Sequence, residues 1–201
     1  MSLYHNKYRI ESARLPHWNY RNAGAYFITI CTKNRECFFG GCSEGRMRLN
    51  ETGKIANDYL QEIPEHFTNI RLGAYVVMPN HVHVILIVVR ALYCRDVACN
   101  VSTNNACNVS TDNANINPGK YKFLSDISPK PGSISAVIRS YKSACTKWIN
   151  QNYPEINFGW QSRFYDHIIR NDEEYLRIEN YMVNNPKNWK DDKFYSGDQD
   201  T

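Results

Sequence analysis

The alternation of apolar and polar positions changes period several times along the chain, and each change marks an element. Ala25-Tyr-Phe-Ile-Thr-Ile-Cys-Thr32 is β-branched and aromatic, follows Asn22-Ala-Gly24, and predicts a first strand. Over residues 53–66 the period becomes helical: Ile55, Ala56, Tyr59, Leu60 and Ile63 fall on one stripe, with Asn50 placed to cap the helix. Residues 72–78 predict a second strand, Pro79-Asn80 a tight connection, and residues 81–89 a third strand. Helical spacing returns over 133–151 through Ile134, Val137, Ile138, Tyr141, Ala144, Cys145, Trp148 and Ile149. Residues 160–169 predict a fourth strand. Asn171-Asp-Glu-Glu174 then has the form of a capping box, opening a last helix that Pro186 ends at or just after Asn185.

The order is β-α-β-β-α-β with one further helix. Helical or tight connections between strands favour an antiparallel sheet with helices on one face. The expected fold class is therefore α+β, ferredoxin-like (split β-α-β), with an added C-terminal helix. At 201 residues and 42% hydrophobic the chain suits one domain whose core needs no disulfides. The pattern lapses only between about 91 and 130. There the octamer Ala98-Cys-Asn-Val-Ser-Thr-Asn-Asn105 is followed by its near copy Ala106-Cys-Asn-Val-Ser-Thr-Asp-Asn113. Two polar copies are too few to build a solenoid, so this stretch reads as a surface insertion.

Composition narrows the classes. Seven Cys, none in a Cys-x-x-Cys pair and with Cys31, Cys37 and Cys42 irregularly spaced, point to free thiols in a reducing cytoplasm rather than a zinc finger. Residues 1–10 are polar and charged, unlike a signal peptide, and the apolar run 82–89, interrupted by His83, is too short to span a bilayer. The expectation is a cytoplasmic protein with no membrane association, monomeric or homodimeric. A net charge of +4 permits a polyanionic partner.

The sharpest chemical feature is His81-Val82-His83 within that third strand. Residues two apart on a strand share a face, so two imidazoles stand side by side while Val82 faces away. Polar rings in an apolar strand are costly unless satisfied, either by a shared divalent cation or by hydrogen bonds on a solvent-facing sheet.

Three stretches now read together. Pro79-Asn-His-Val-His-Val-Ile85 resembles the histidine–hydrophobic–histidine signature of HUH endonucleases, in the form carried by IS200-like single-tyrosine (Y1) transposases. Trp160-Gln-Ser-Arg-Phe-Tyr-Asp-His-Ile-Ile-Arg-Asn171 is similar to the segment before the catalytic helix in the REP-associated tyrosine transposase branch, and Tyr181-Met-Val-Asn-Asn185-Pro186 to that branch's nucleophile helix. The resemblance, in register over roughly residues 26–89 and 133–189, implies a ferredoxin-like core and a divalent metal, Mg²⁺ or Mn²⁺. It implies His81 and His83 as metal ligands, Tyr181 as the nucleophile and Asn185 as the third ligand. It also implies an enzyme that nicks and rejoins single-stranded or hairpin DNA through a 5′-phosphotyrosine. Many relatives place Gln where this chain has the shorter Asn185.

Helical geometry is compatible with the last pair, since positions four apart differ by only about 40° around the axis. Tyr175 with Glu179 is a rival pair at the same spacing, about 120° away around the helix. Tyr165, with no ligand type four residues on, suits a strand or base-stacking position. Arg139, Lys142, Lys147 and Arg163 are candidate contacts for DNA phosphates. Trp160 fits a core anchor, Arg170 a partner for Asp172-Glu-Glu174, and His167 a structural histidine. The alternative function is a ferredoxin-like nucleic-acid-binding module without catalysis.

Overall fold

Strand parity divides the molecule into two layers around one antiparallel sheet. The computed structural model describes residues 3–4, 7–8, 18–89 and 132–195; the repeat and insertion expected near 91–130 lie outside the described residues. In chain order the elements are β1 (Leu3–Tyr4), β2 (Lys7–Tyr8), β3 (Gly24–Cys31), β4 (Gly40–Ser43), β5 (Arg46–Leu49), α1 (Glu51–Gln61), α2 (Ile63–His66), β6 (Ile70–Met78), β7 (His81–Val88), α3 (Ile134–Asn152), β8 (Tyr165–Ile169) and α4 (Asp172–Asn184). The main sheet runs β6-β7-β3-β8, every neighbour antiparallel. Counting its strands in chain order, that is second-third-first-fourth, the ferredoxin-like arrangement expected. Among the described residues no helix is long and apolar enough to cross a membrane.

On one face Tyr26, Ile28 and Ile30 of β3 join Val82, Val84 and Leu86 of β7. They pack against Ala56 and Leu60 of α1 and Val137, Ile138, Tyr141, Cys145 and Ile149 of α3. Alternation sends Phe27, Thr29 and Cys31, and His81, His83 and Ile85, to the other face. There α4 lies across the sheet, burying Ile178 and Met182 against Ile85 and Ile169. With both faces covered, β7 is buried almost throughout, and so reads as a nearly unbroken apolar run. The two histidines are the exceptions in that run.

The caps are as the pattern predicts. Asn50 Oδ1 accepts from Gly53 N at 2.9 Å and Asn171 Oδ1 from Glu174 N at 2.8 Å. The Glu174 carboxylate, however, reaches past Asn171 to the Arg170 N–H at 2.9 Å, while its other oxygen meets His167 Nε2 at 2.8 Å. Arg170 is thus linked to Glu174 through its backbone, and His167 ties β8 to α4.

Three boundaries differ from the sequence reading. The helix predicted over 53–66 is two, because Pro64 at the start of α2 lacks the N–H that would continue α1. The fourth strand begins at Tyr165, not 160. Trp160 makes a lone bridge to Thr32, its ring packs on Phe39, Tyr141 and Phe158, and the chain then leaves the sheet. The hairpin β4–β5 was not predicted. Its turn, Glu44-Gly45, has positive φ at both residues (54° and 71°), the geometry that matches strand twist in a two-residue turn.

That hairpin's approach to α1 yields a stability prediction. Gly53 sits in the first helical turn, where an added Cβ would run into the Phe39 carbonyl and press on Leu49. Ala favours helix over Gly by about 1 kcal/mol. The collision is with backbone and cannot be relieved by a rotamer change, so the clash outweighs the propensity. Gly53→Ala should lose roughly 1–3 kcal/mol in urea unfolding; a raised midpoint would show that α1 shifts freely.

Candidate metal centre and tyrosine

The histidine pair stands at the end of β7, on the face that α4 covers. The rings of His81 and His83 are 4.5 Å apart between centroids, and both residues are at most 1% exposed. Asn80 sets the state of the first. Its Nδ2 donates to Arg35 O at 3.0 Å and to Phe194 O at 2.8 Å, which fixes the amide orientation. Asn80 Oδ1 must then be the acceptor in its 2.9 Å contact with His81 Nδ1, so the proton is on Nδ1. His81 Nε2 is left as a bare lone pair, buried and, among the described residues, without a hydrogen-bond partner. His83 Nδ1 meets Thr29 Oγ1 at 2.8 Å from the neighbouring strand.

The last helix brings the phenol. Tyr181 Oη lies 3.3 Å from His83 Nε2 and donates its proton to Asp192 Oδ2 at 3.2 Å. The Phe27 ring packs against both His83 and Tyr181, at 5.1 and 6.3 Å between centroids. One turn on, Asn185 Nδ2 donates to the same Asp192 oxygen at 2.8 Å. Because a carboxylate only accepts, the Asn185 amide cannot be turned around. Its Oδ1 is the second buried polar atom here without a partner among the described residues. The rival tyrosine points elsewhere: Tyr175 packs beside Ile85, its hydroxyl over Gly73.

Asp192, which the sequence reading missed, completes the group. It follows the short 3-10 turn Trp189–Asp191, and the Phe194 N–H holds its Oδ1 at 2.7 Å. One ligand atom from each of His81, His83 and Asp192 lies within 4.8 Å of the other two. In the sequence it is one charge in a polar tail beyond Pro186; no spacing marks it. Asn80, read there only as a turn, and Thr29, read as a strand residue, orient the two rings. The Phe194 ring lies 4.6 Å from that of His81 and closes the site from above.

Electrostatics follow from this burial. Removal from water pushes His81 down to about 3, with Lys193 and Arg35 adding to the effect, and holds His83 well below the ordinary histidine range. Both rings are neutral at pH 7 and able to ligate. Burial, then the negative charge of Asp192, raises the Tyr181 phenol to about 12, so it is held protonated. Two neutral imidazoles and a carboxylate, with His81 Nε2 bare, form a donor set that fits a divalent cation.

The other candidates lie elsewhere. Arg139 and Lys147 line a groove of about 450 Å³ on the outer side of α3, on the helix layer behind the sheet. Lys142 Nζ donates to Gln161 O at 2.5 Å, tethering the segment before β8. Arg163 is exposed on that same segment.

Fold and site define a class: a ferredoxin-like α+β domain with a histidine pair, a carboxylate and a helix-borne tyrosine converging at one end of its sheet. Within it, the chain belongs to the same family as an uncharacterized protein of Haemophilus influenzae, which is 34% identical over 188 residues covering 92% of each chain. No protein-family model matches. Among solved structures, a REP-associated tyrosine transposase bound to a REP hairpin aligns at 17% identity and TM-score 0.47, over 93% of this chain and 74% of its own. A candidate transposase of Deinococcus radiodurans aligns at 14% and 0.43, over 85% and 95%.

Proposed function

We propose that the chain is a metal-dependent single-strand DNA endonuclease and strand transferase of the HUH type, a transposase or a nuclease derived from one. The observation that supports this best is the 3.3 Å approach of the Tyr181 hydroxyl to His83 Nε2, beside the bare Nε2 of His81. His81, His83 and Asp192 would hold Mg²⁺ or Mn²⁺. Asn185, the third ligand implied by the resemblance, offers its own bare Oδ1 and steers Asp192 through Nδ2. When bound, the cation supplies charge neutralisation to a nonbridging phosphate oxygen and offsets the field of Asp192 on the phenol.

The protein groups then have distinct tasks. The Tyr181 oxygen forms a bond to phosphorus while the bond from phosphorus to the 3′-oxygen breaks, leaving a 5′-phosphotyrosine and a 3′-hydroxyl. Asp192 Oδ2, which accepts the Tyr181 O–H, is placed to receive the phenolic proton, and the departing 3′-oxygen takes one up. The covalent link conserves the bond, so a later 3′-hydroxyl can reseal the strand without ATP. Tyr181 is 41% exposed, so a phosphodiester reaches it from solvent. Arg139, Lys147 and Arg163 would contact phosphates farther along a hairpin.

The test is incubation with end-labelled single-stranded hairpin DNA in Mn²⁺ or in EDTA. An SDS-resistant protein–DNA band that needs Mn²⁺ is expected. Binding without such a band in either condition would instead favour the non-catalytic nucleic-acid-binding module.

A further inference from the structure

The geometry points to a nucleotide shelf on the edge strand β8, where Tyr165 stacks an unpaired base next to the phosphate being cut and Lys193 pairs with the adjoining phosphate. This rests on the function proposed above and names the part of the substrate that the chemistry leaves unheld. Tyr165 is 49% exposed although it stands on a strand of the main sheet. Among the described residues β8 is an edge strand, paired with β3 and with no strand on its outer side.

Register places this ring in line with the reacting groups. Tyr165 is directly opposite Thr29 on β3, and Thr29 is directly opposite His83 on β7. The three residues form one row on one face, with Tyr165 two strand spacings, about 10 Å, from His83. A nucleoside spans that interval from its own phosphate. Above the row runs a line of positive charge. Lys193 Nζ lies 5.8 Å from the Tyr165 ring centre and 4.8 Å from that of Phe194, whose ring covers His81. Arg35 also stands over the Phe194 ring, at 5.3 Å, and its Nη1 donates to the Lys193 carbonyl at 3.3 Å.

An exposed aromatic with an ammonium beside it and a guanidinium farther along, over Phe194, one nucleoside length from a cation site, has the chemistry of single-strand recognition. Every base offers a π-face, and the phosphates meet the cations. A duplex cannot use the shelf, because its bases are already stacked. The residue thus selects for the unpaired strand rather than for a sequence.

The experiment uses the full chain carrying Tyr181→Phe, so that binding is read without cleavage. The probes are a fluorescent oligothymidylate and an abasic oligomer of equal length, both in Mn²⁺. Tyr165→Ala should weaken oligothymidylate binding by roughly 5- to 100-fold, with Tyr165→Val, a better strand former, giving the same loss. Tyr165→Phe should bind as the parent does, and the abasic oligomer should not distinguish any of these proteins. Lys193→Gln should weaken both probes and lower the slope of log affinity against log salt by about 0.7. Equal oligothymidylate affinity for parent, Ala and Val would overturn the shelf while leaving the function standing. A wild-type chain that makes no metal-dependent adduct would sink the function itself.

Discussion

Phenylalanine at position 181 will leave a folded protein that still binds single-stranded DNA and cation but forms no covalent adduct. The substitution keeps the ring, and with it the contacts to Phe27 and His83 at 6.3 and 5.4 Å. It removes one oxygen, the atom that meets His83 Nε2 and Asp192 Oδ2. A nucleophile has no substitute when the product is a bond to its own oxygen, so adduct formation should fall by about 10⁴-fold or more, to background. Thermal unfolding should be near that of the parent, since Tyr181 is half-exposed and Asp192 Oδ2 keeps the hydrogen bond from Asn185 Nδ2. Tyr175→Phe is the matched control and should react like the wild type, because that hydroxyl faces Gly73. The measurement is the SDS-resistant band on labelled hairpin DNA. Parental nicking by the Tyr181→Phe protein would remove this tyrosine from the chemistry.

Acid will unfold the cation-free protein well before it would unfold a protein lacking the buried pair. His81 is held near 3 by burial, against an ordinary value of about 6.5 in the unfolded chain. Below 6.5 the unfolded state takes up a proton that the folded state refuses. The stability associated with a neutral, buried His81 is therefore fully present above pH 6.5 and is lost progressively as pH falls toward 3. At pH 5 this amounts to about 2 kcal/mol for His81 alone, and His83, shifted the same way, adds to it. Against a total stability of about 5–15 kcal/mol, that is a large share. Urea unfolding in EDTA at pH 7.5 and pH 5 reads it directly. Mn²⁺ should raise the midpoint at pH 7.5 and do so less at pH 5, because protons compete for the same lone pairs. His81→Gln should flatten the pH dependence. Identical midpoints at the two pH values would mean that the rings are solvated or already charged in the fold.

The two forecasts draw on different parts of the chain, and those parts were not equally legible. Helical spacing identifies α1, α3 and α4 because one-sided burial writes itself into periodicity, whereas β3 and β7, covered on both faces, are identified as β-branched, apolar runs. Asn50 and Asn171 announce helix starts because the first turn's N–H groups need a local acceptor. His81 and His83 stand out because polar rings in an apolar strand call for an explanation. The β4–β5 hairpin did not, since four-residue strands with Arg46 and Arg48 turned outward leave too little alternation to read. The late start of the fourth strand depended on Trp160 being drawn onto Phe39, a residue more than a hundred positions away in the chain.

The chain's own pattern determined the α+β order, the helix caps and the same-side placement of the two imidazoles, all consequences of local geometry within a few residues. Residue spacing left Tyr175 and Tyr181 both open and the family resemblance implied Tyr181; the tertiary structure brings the Tyr181 hydroxyl to His83. It also decided that Asp192 closes the donor set and that Asn80 dictates which nitrogen of His81 is bare. Those outcomes depend on where α4 lies across the sheet and on how the segment after Pro186 folds back over it. A strand's side-chain direction follows from its backbone, whereas a loop carboxylate arrives at a site only through long-range packing.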